Sequence, residues 1–154
     1  MSELPKRLYL YGPSGSGKTR KAVEMAKAAK DLLYRKRCSR FWNDYRGQKV
    51  VLIDNLDKED VQYIKNYIGD WIDYYPFEGN LSGGEKTYME INPMEYTFII
   101  TSYVPMSEMF SKYPENLKDK INRIFEEQEL KIEEKDTNKI KNNNTTINPF
   151  SGSN

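Results

Sequence analysis

At 154 residues the chain supports one domain, which at this size buries roughly 68–70% of its unfolded surface. A net charge of +1 provides no long-range field to hold a nucleic acid or a membrane by itself, so any such contact is local or summed over subunits. Cys38 is the single cysteine and histidine is absent, which excludes disulfides within the chain, Cys/His zinc sites and every imidazole-dependent mechanism.

Hydrophobic residues make up 38% and the mean hydropathy is −0.83, a low value to which the polar C-terminal segment contributes. No run reaches the ~18 apolar residues of a membrane span, and "SELPKR" stands where a secretory signal needs an apolar stretch. The expectation is a soluble, intracellular protein without membrane contact.

In chain order, Leu8 to Tyr11 is a short apolar run suited to a strand, "GPSGSG" interrupts it, and a helical pattern follows from Lys18 to about Leu33. The basic, aromatic stretch after it accommodates one short strand near Leu33 to Arg35, with a turn at Gly47. "KVVLIDN" is a continuous apolar run ending in an acid, the pattern of a strand buried on both faces of a parallel sheet. Asp57 can cap a helix whose apolar positions Val61, Ile64, Ile68, Trp71, Ile72 and Tyr75 step by three and four. "PFEGNLSGGEKTYMEIN" reads as a hairpin with a glycine tip, and "EYTFIITSY" as a second buried strand. Short helices near Ser107 to Lys112 and Leu117 to Ile121 precede a last strand within Ile124 to Ile132. Residues 1–132 thus form the folded domain, and the Asn- and Lys-rich residues 133–154 read as a disordered tail. Strands alternating with helices predict an α/β fold with a parallel sheet.

Gly12-Pro13-Ser14-Gly15-Ser16-Gly17-Lys18-Thr19 matches G-x-x-x-x-G-K-[ST] between the first strand and the first helix. Glycines let the backbone wrap phosphates with its N–H groups inward, and the following helix presents its positive end. The pattern assigns Lys18 to the β- and γ-phosphates of ATP and the Thr19 hydroxyl to Mg²⁺. Asp54, at the carboxyl end of a buried strand where the ligand crevice of an open α/β sheet lies, is the matching anchor for Mg²⁺. The loop alone does not distinguish a motor from a kinase or a sensor.

The order "GPSGSGKT", "FWNDYRGQKVVLIDN", a "GG" hairpin, "FIITS" and "NRIF" resembles the helicase domain of replication-associated (Rep) proteins of circoviruses and related circular single-stranded DNA replicons. These are superfamily 3 helicases, grouped with the viral RNA-helicase domains, and the resemblance runs from Arg7 to about Ile132. Its most specific part is Trp42, Tyr45 and Gly47 ahead of the acidic strand. The resemblance implies a P-loop NTPase of the AAA+-like three-layer αβα type, with about five parallel strands in the order 5-1-4-3-2. It further implies an ATP-driven homo-hexamer that threads single-stranded nucleic acid, DNA favoured over RNA, in the cytoplasm or a host nucleus. Arg123 matches the arginine that reaches a neighbouring subunit's ATP. The hairpin matches the DNA-contacting loop, where the family's lysine precedes the paired glycines; here Ser82 stands there and Lys86 follows them. In the family a nuclease module and a small ring-forming helical segment precede this domain, and the reading expects neither in this chain.

Two positions depart from the family pattern. Asn55 replaces the second acid that deprotonates the attacking water, and an amide orients water without accepting its proton; a general base contributes ~10²–10⁴-fold in rate. Tyr103 replaces the asparagine that senses the γ-phosphate, giving one bulkier hydrogen-bond donor in its place. These departures favour a second reading, a nucleotide-binding relic or adaptor that binds without efficient hydrolysis. A small-molecule kinase ranks third, since no arginine-bearing lid follows the acidic strand. The basic run "RKRCSR" serves either as a nucleic-acid or import patch or as a solvated face.

Overall fold

A computed structural model describes residues 3–83 and 87–132. Lys86 and the tail 133–154 lie outside the described residues. The described residues form seven strands: β1 (Arg7–Tyr11), β2 (Leu33–Arg35), β3 (Val50–Ile53), β4 (Phe77–Leu81), β5 (Thr87–Ile91), β6 (Thr97–Ser102) and β7 (Glu126–Glu129). The helices are α1 (Lys18–Ala28), α2 (Ile68–Ile72), α3 (Met106–Met109) and α4 (Glu115–Ile124).

Five strands form a sheet in the order β2-β3-β6-β1-β7, and every pairing within it is parallel. Numbering these five strands along the chain gives the 5-1-4-3-2 order of the P-loop NTPase class expected from the sequence. The apolar runs of β1, β3 and β6 are buried on both faces because layers cover each side. Leu8, Leu10, Val50, Leu52 and Ile99 face α1 with Ala22 and Ala26, while Tyr9, Val51, Ile53, Phe98 and Ile100 face the larger opposite layer. The outcome is a three-layer αβα domain.

The opposite layer is built around Trp42, which is fully buried. It stacks on Tyr34 at 5.8 Å and meets Tyr45 and Trp71 edge-on at 5.2 and 5.7 Å. The aromatic segment ahead of the acidic strand is thus a core plug. It also carries the antiparallel hairpin β4-β5, through the Phe41–Asn80 bridge and the Trp42 N–H donated to the Asn80 carbonyl at 2.9 Å.

Two helices differ from the periodicity reading. The first ends at Ala28 and not near Leu33, because Lys30 turns into the left-handed region (φ 56°) and Asp31 accepts hydrogen bonds from the backbone of Leu32 and Lys49. The helix expected from Asp57 to Tyr75 is divided into a 3₁₀ turn, Val61–Ile64, and the short α2. Its carbonyls are taken by distant side chains: Tyr113 bonds Val61, Tyr96 bonds Trp71, and the buried Arg7 bonds Ile72 and Asp73. The three-and-four spacing still places Val61, Ile64, Ile68, Trp71 and Ile72 in the core, whereas Tyr75 is exposed.

Candidate functional site

Parallel alignment brings the carboxyl ends of β1, β6 and β3 to one edge, with Tyr11 opposite Ser102 and Ile53 opposite Ile100. The loop Gly12 to Thr19, Asp54 and the segment Thr101 to Tyr103 are therefore neighbours. The edge is tied on both sides of β6, by Gly12 N–H to the Ser102 carbonyl at 3.1 Å and Leu56 N–H to the Thr101 carbonyl at 2.8 Å.

Gly12 is required by close approach, since a Cβ there would lie 2.1 Å from the backbone oxygen of Leu130. Gly17 stands at the N-cap of α1 with φ 91°, a left-handed conformation that favours glycine, and it turns the loop into the helix. Lys18, only 6% exposed, donates from Nζ to the carbonyls of Gly12 and Pro13 at 2.7 and 3.0 Å. Its ammonium lies 4.6 Å from the centre of the Tyr103 ring. Burial lowers the Lys18 pKa below the usual lysine value, and the charge of Asp54 opposes that shift.

Asp54 is the hub of the site. Its Oδ1 accepts from the Thr19 hydroxyl at 2.9 Å and from the Thr101 hydroxyl at 2.6 Å. Its Oδ2 lies 3.6 Å from a guanidinium nitrogen of Arg35. Asn55 takes a left-handed conformation (φ 54°), held by its N–H donated to the Thr101 hydroxyl at 2.7 Å. This turn places Asp54 and Asn55 together on the rim of a 390 Å³ cavity that Arg35, Arg37, Asp57 and Asp60 also line.

The donor chemistry fits a nucleoside triphosphate with Mg²⁺. A hydroxyl and a carboxylate 2.9 Å apart offer hard oxygen ligands, and the ammonium of Lys18 lies beside them on the loop. Among the described residues no group of three or more His, Cys, Asp or Glu side chains could hold a metal. Ser16 Oγ, within the loop, is buried without a hydrogen-bond partner, a polar atom that a phosphate oxygen would satisfy.

A family model described as RNA helicase matches residues 8–103, from β1 through the whole of this edge. The chain belongs to the RNA helicase family. Within that family it is similar to the replication-associated protein of Human associated cyclovirus 1, with 38% identity over 84 residues. The match covers 52% of this chain and 29% of that protein, so the helicase-family chain spans less than a third of its relative. These similarities identify a Rep-type superfamily 3 helicase domain.

Of the residues expected at the site, the loop, Lys18, Thr19, Asp54, Asn55 and Tyr103 converge on this edge. Arg123 does not join them: it is exposed at the end of α4, just before β7 begins at the opposite edge of the sheet, where its charge bears on Asp73. In this helicase domain the basic run is not a uniform patch. Arg35 faces Asp54, Arg40 lies over Phe41 at 4.8 Å, and Lys36 is buried beneath Trp42 and Trp71 with its ammonium donated to the carbonyls of Arg37, Ser39 and Phe41. Sequence reasoning missed Thr101 and Arg35. Both had a signal: strand parity sets Arg35 on the α1 face with Leu52 and Asp54, and Thr101 is the penultimate residue of the strand lying between the loop and the acid. No helix among the described residues is long and apolar enough to cross a membrane.

Proposed function

We propose that this chain is the ATP-binding motor domain of a Rep-like protein, coupling ATP hydrolysis to translocation on single-stranded nucleic acid, DNA in preference to RNA. The observation that carries the reading is the contact of Thr19 with Asp54 across the sheet edge, beside the Lys18 ammonium. Gly12 to Thr19 would wrap the phosphates, Lys18 would leave its loop carbonyls for the β- and γ-phosphates, and Thr19 with Asp54 would hold Mg²⁺. ATP with Mg²⁺ supplies the phosphoanhydride whose cleavage drives the motor. Asn55 would orient the attacking water, and Tyr103 would read the γ-phosphate from its place against Lys18.

Arg123 is assigned to a neighbouring subunit's nucleotide, because its own sits at the other sheet edge; that assignment requires a ring, for which a homo-hexamer is proposed. Lys86, which lies between β4 and β5 in the sequence, is assigned to the nucleic-acid backbone. Asn55 supports a second reading, a domain that binds ATP and nucleic acid but hydrolyses inefficiently, because an amide cannot accept the water's proton. Strand displacement by the chain with Mg²⁺·ATP, alongside its mass in solution, tests the first reading. Unwinding by a hexamer supports it; a monomer that binds ATP without unwinding supports the second.

A further inference from the structure

We propose that Arg35 is a γ-phosphate contact supplied by the same subunit, held on Asp54 until nucleotide arrives. This inference rests on the nucleotide-binding reading and extends it to a residue outside the loop. Arg35 ends β2, the edge strand, opposite Leu52 of β3. Successive residues of a strand point to opposite faces, so Arg35 shares the face of Leu33, Leu52 and Asp54, the side on which α1 carries Thr19. Lys36 fixes the root of that side chain. Its N–H is donated to the Leu52 carbonyl at 2.7 Å, and its own ammonium is anchored among three backbone carbonyls.

The guanidinium itself is only loosely held. It is 3.6 Å from Asp54 Oδ2 and its side chain is 58% exposed, an arrangement that binds weakly and exchanges readily. The other carboxylate oxygen already takes two hydroxyl protons, so Arg35 occupies the free side of the acid that anchors Mg²⁺. A divalent cation at Asp54 and Thr19 repels the guanidinium from that oxygen, while the γ-phosphate brings new negative charge to the same rim. The cavity of 390 Å³ beside Asp54 gives the side chain space to turn; Arg37 also lines it, as do Asp57 and Asp60, and one Asp57 oxygen is occupied by the Glu59 N–H. Arginine suits the task because its planar fork can meet two phosphate oxygens at once.

Affinities for Mg²⁺·ADP and for a non-hydrolysable Mg²⁺·ATP analogue, measured by calorimetry on wild type, Arg35→Ala and Arg35→Lys, test the proposal. The expected result is a loss of about tenfold in ATP-analogue affinity for Arg35→Ala, Mg²⁺·ADP affinity within twofold of wild type, and partial recovery in Arg35→Lys. Equal losses for both nucleotides, or no loss for either, would overturn the assignment while leaving the nucleotide site intact. A wild-type chain that binds neither nucleotide overturns both the assignment and the reading beneath it. Should Arg35→Ala not fold, Arg35→Gln carries the same comparison, with its unfolding midpoint checked against wild type.

Discussion

Thr101→Val removes one hydroxyl and nothing else of consequence to shape, since valine is nearly isosteric and the site is fully buried. That hydroxyl donates to Asp54 at 2.6 Å and accepts the Asn55 N–H at 2.7 Å. A hydrogen bond to a charged group contributes ~1.5–3 kcal/mol, and loss of the part-buried Asn55 N–H bond adds a further ~0.5–1.5 kcal/mol. Asp54 keeps the Thr19 hydroxyl on the same oxygen, which moderates the first loss, so the total is about 3 kcal/mol. For a domain of this size that lowers Tm by roughly 10 °C. Thr101→Ser keeps both bonds and loses one methyl group, about 1 kcal/mol. Urea unfolding of the three proteins gives the stabilities, and titration with a Mg²⁺·ATP analogue shows whether the displaced Asp54 and Asn55 weaken the site. A valine variant as stable as the serine variant, with unchanged nucleotide affinity, would refute the argument that Thr101 holds the acid and its neighbour in place.

Other expectations follow from the same contacts. Gly12→Ala drives a Cβ into the Leu130 carbonyl, a backbone atom that cannot step aside cheaply, so thermal stability and nucleotide affinity both fall; equal affinity in the two proteins would show that the loop does not need this approach. Burial lowers the pKa of Lys36 to about 7, whereas an unfolded lysine titrates near ~10.4. Between those values the unfolded chain binds the extra proton, so the Lys36 contribution raises stability with pH, by up to ~1.4 kcal/mol per unit. Urea midpoints of wild type and Lys36→Met at pH 7, 8 and 9 should show a gap that grows with pH in favour of wild type, and a constant gap would contradict it.

Strands β1, β3 and β6 were legible because apolar runs and a glycine-rich interruption are local signals, whereas the polar β7 carries no such signal and the strand order came from the family resemblance. The loop was legible for a similar reason: its residue types are dictated by the phosphate geometry it is built to match. The segment from Asp57 to Tyr75 was legible in its burial but not in its backbone. Three-and-four spacing selects the core residues, yet donors from β1, the segment before β6 and the α3–α4 connection claim the carbonyls that a continuous helix would use. Lys36 shows the same limit from the other side. In sequence it belongs to a basic run, and only the aromatic layer assembled from Trp42 and Trp71 makes it a buried anchor. Arg35 was obscured by its neighbours, because a cluster of cations reads as a solvated face until strand parity separates its members.

The central claim is that Gly12 to Thr19 and Asp54 hold ATP for hydrolysis, with Asn55 as the weakened element. ATP turnover with and without single-stranded DNA, measured for wild type, Lys18→Ala and Asn55→Asp, tests it most directly. The account predicts turnover that DNA stimulates, that Lys18→Ala abolishes, and that Asn55→Asp raises by roughly 10²-fold through a restored base at this turn. Tight ATP binding with no turnover in either wild type or Asn55→Asp would contradict it and leave a domain that binds nucleotide without using it.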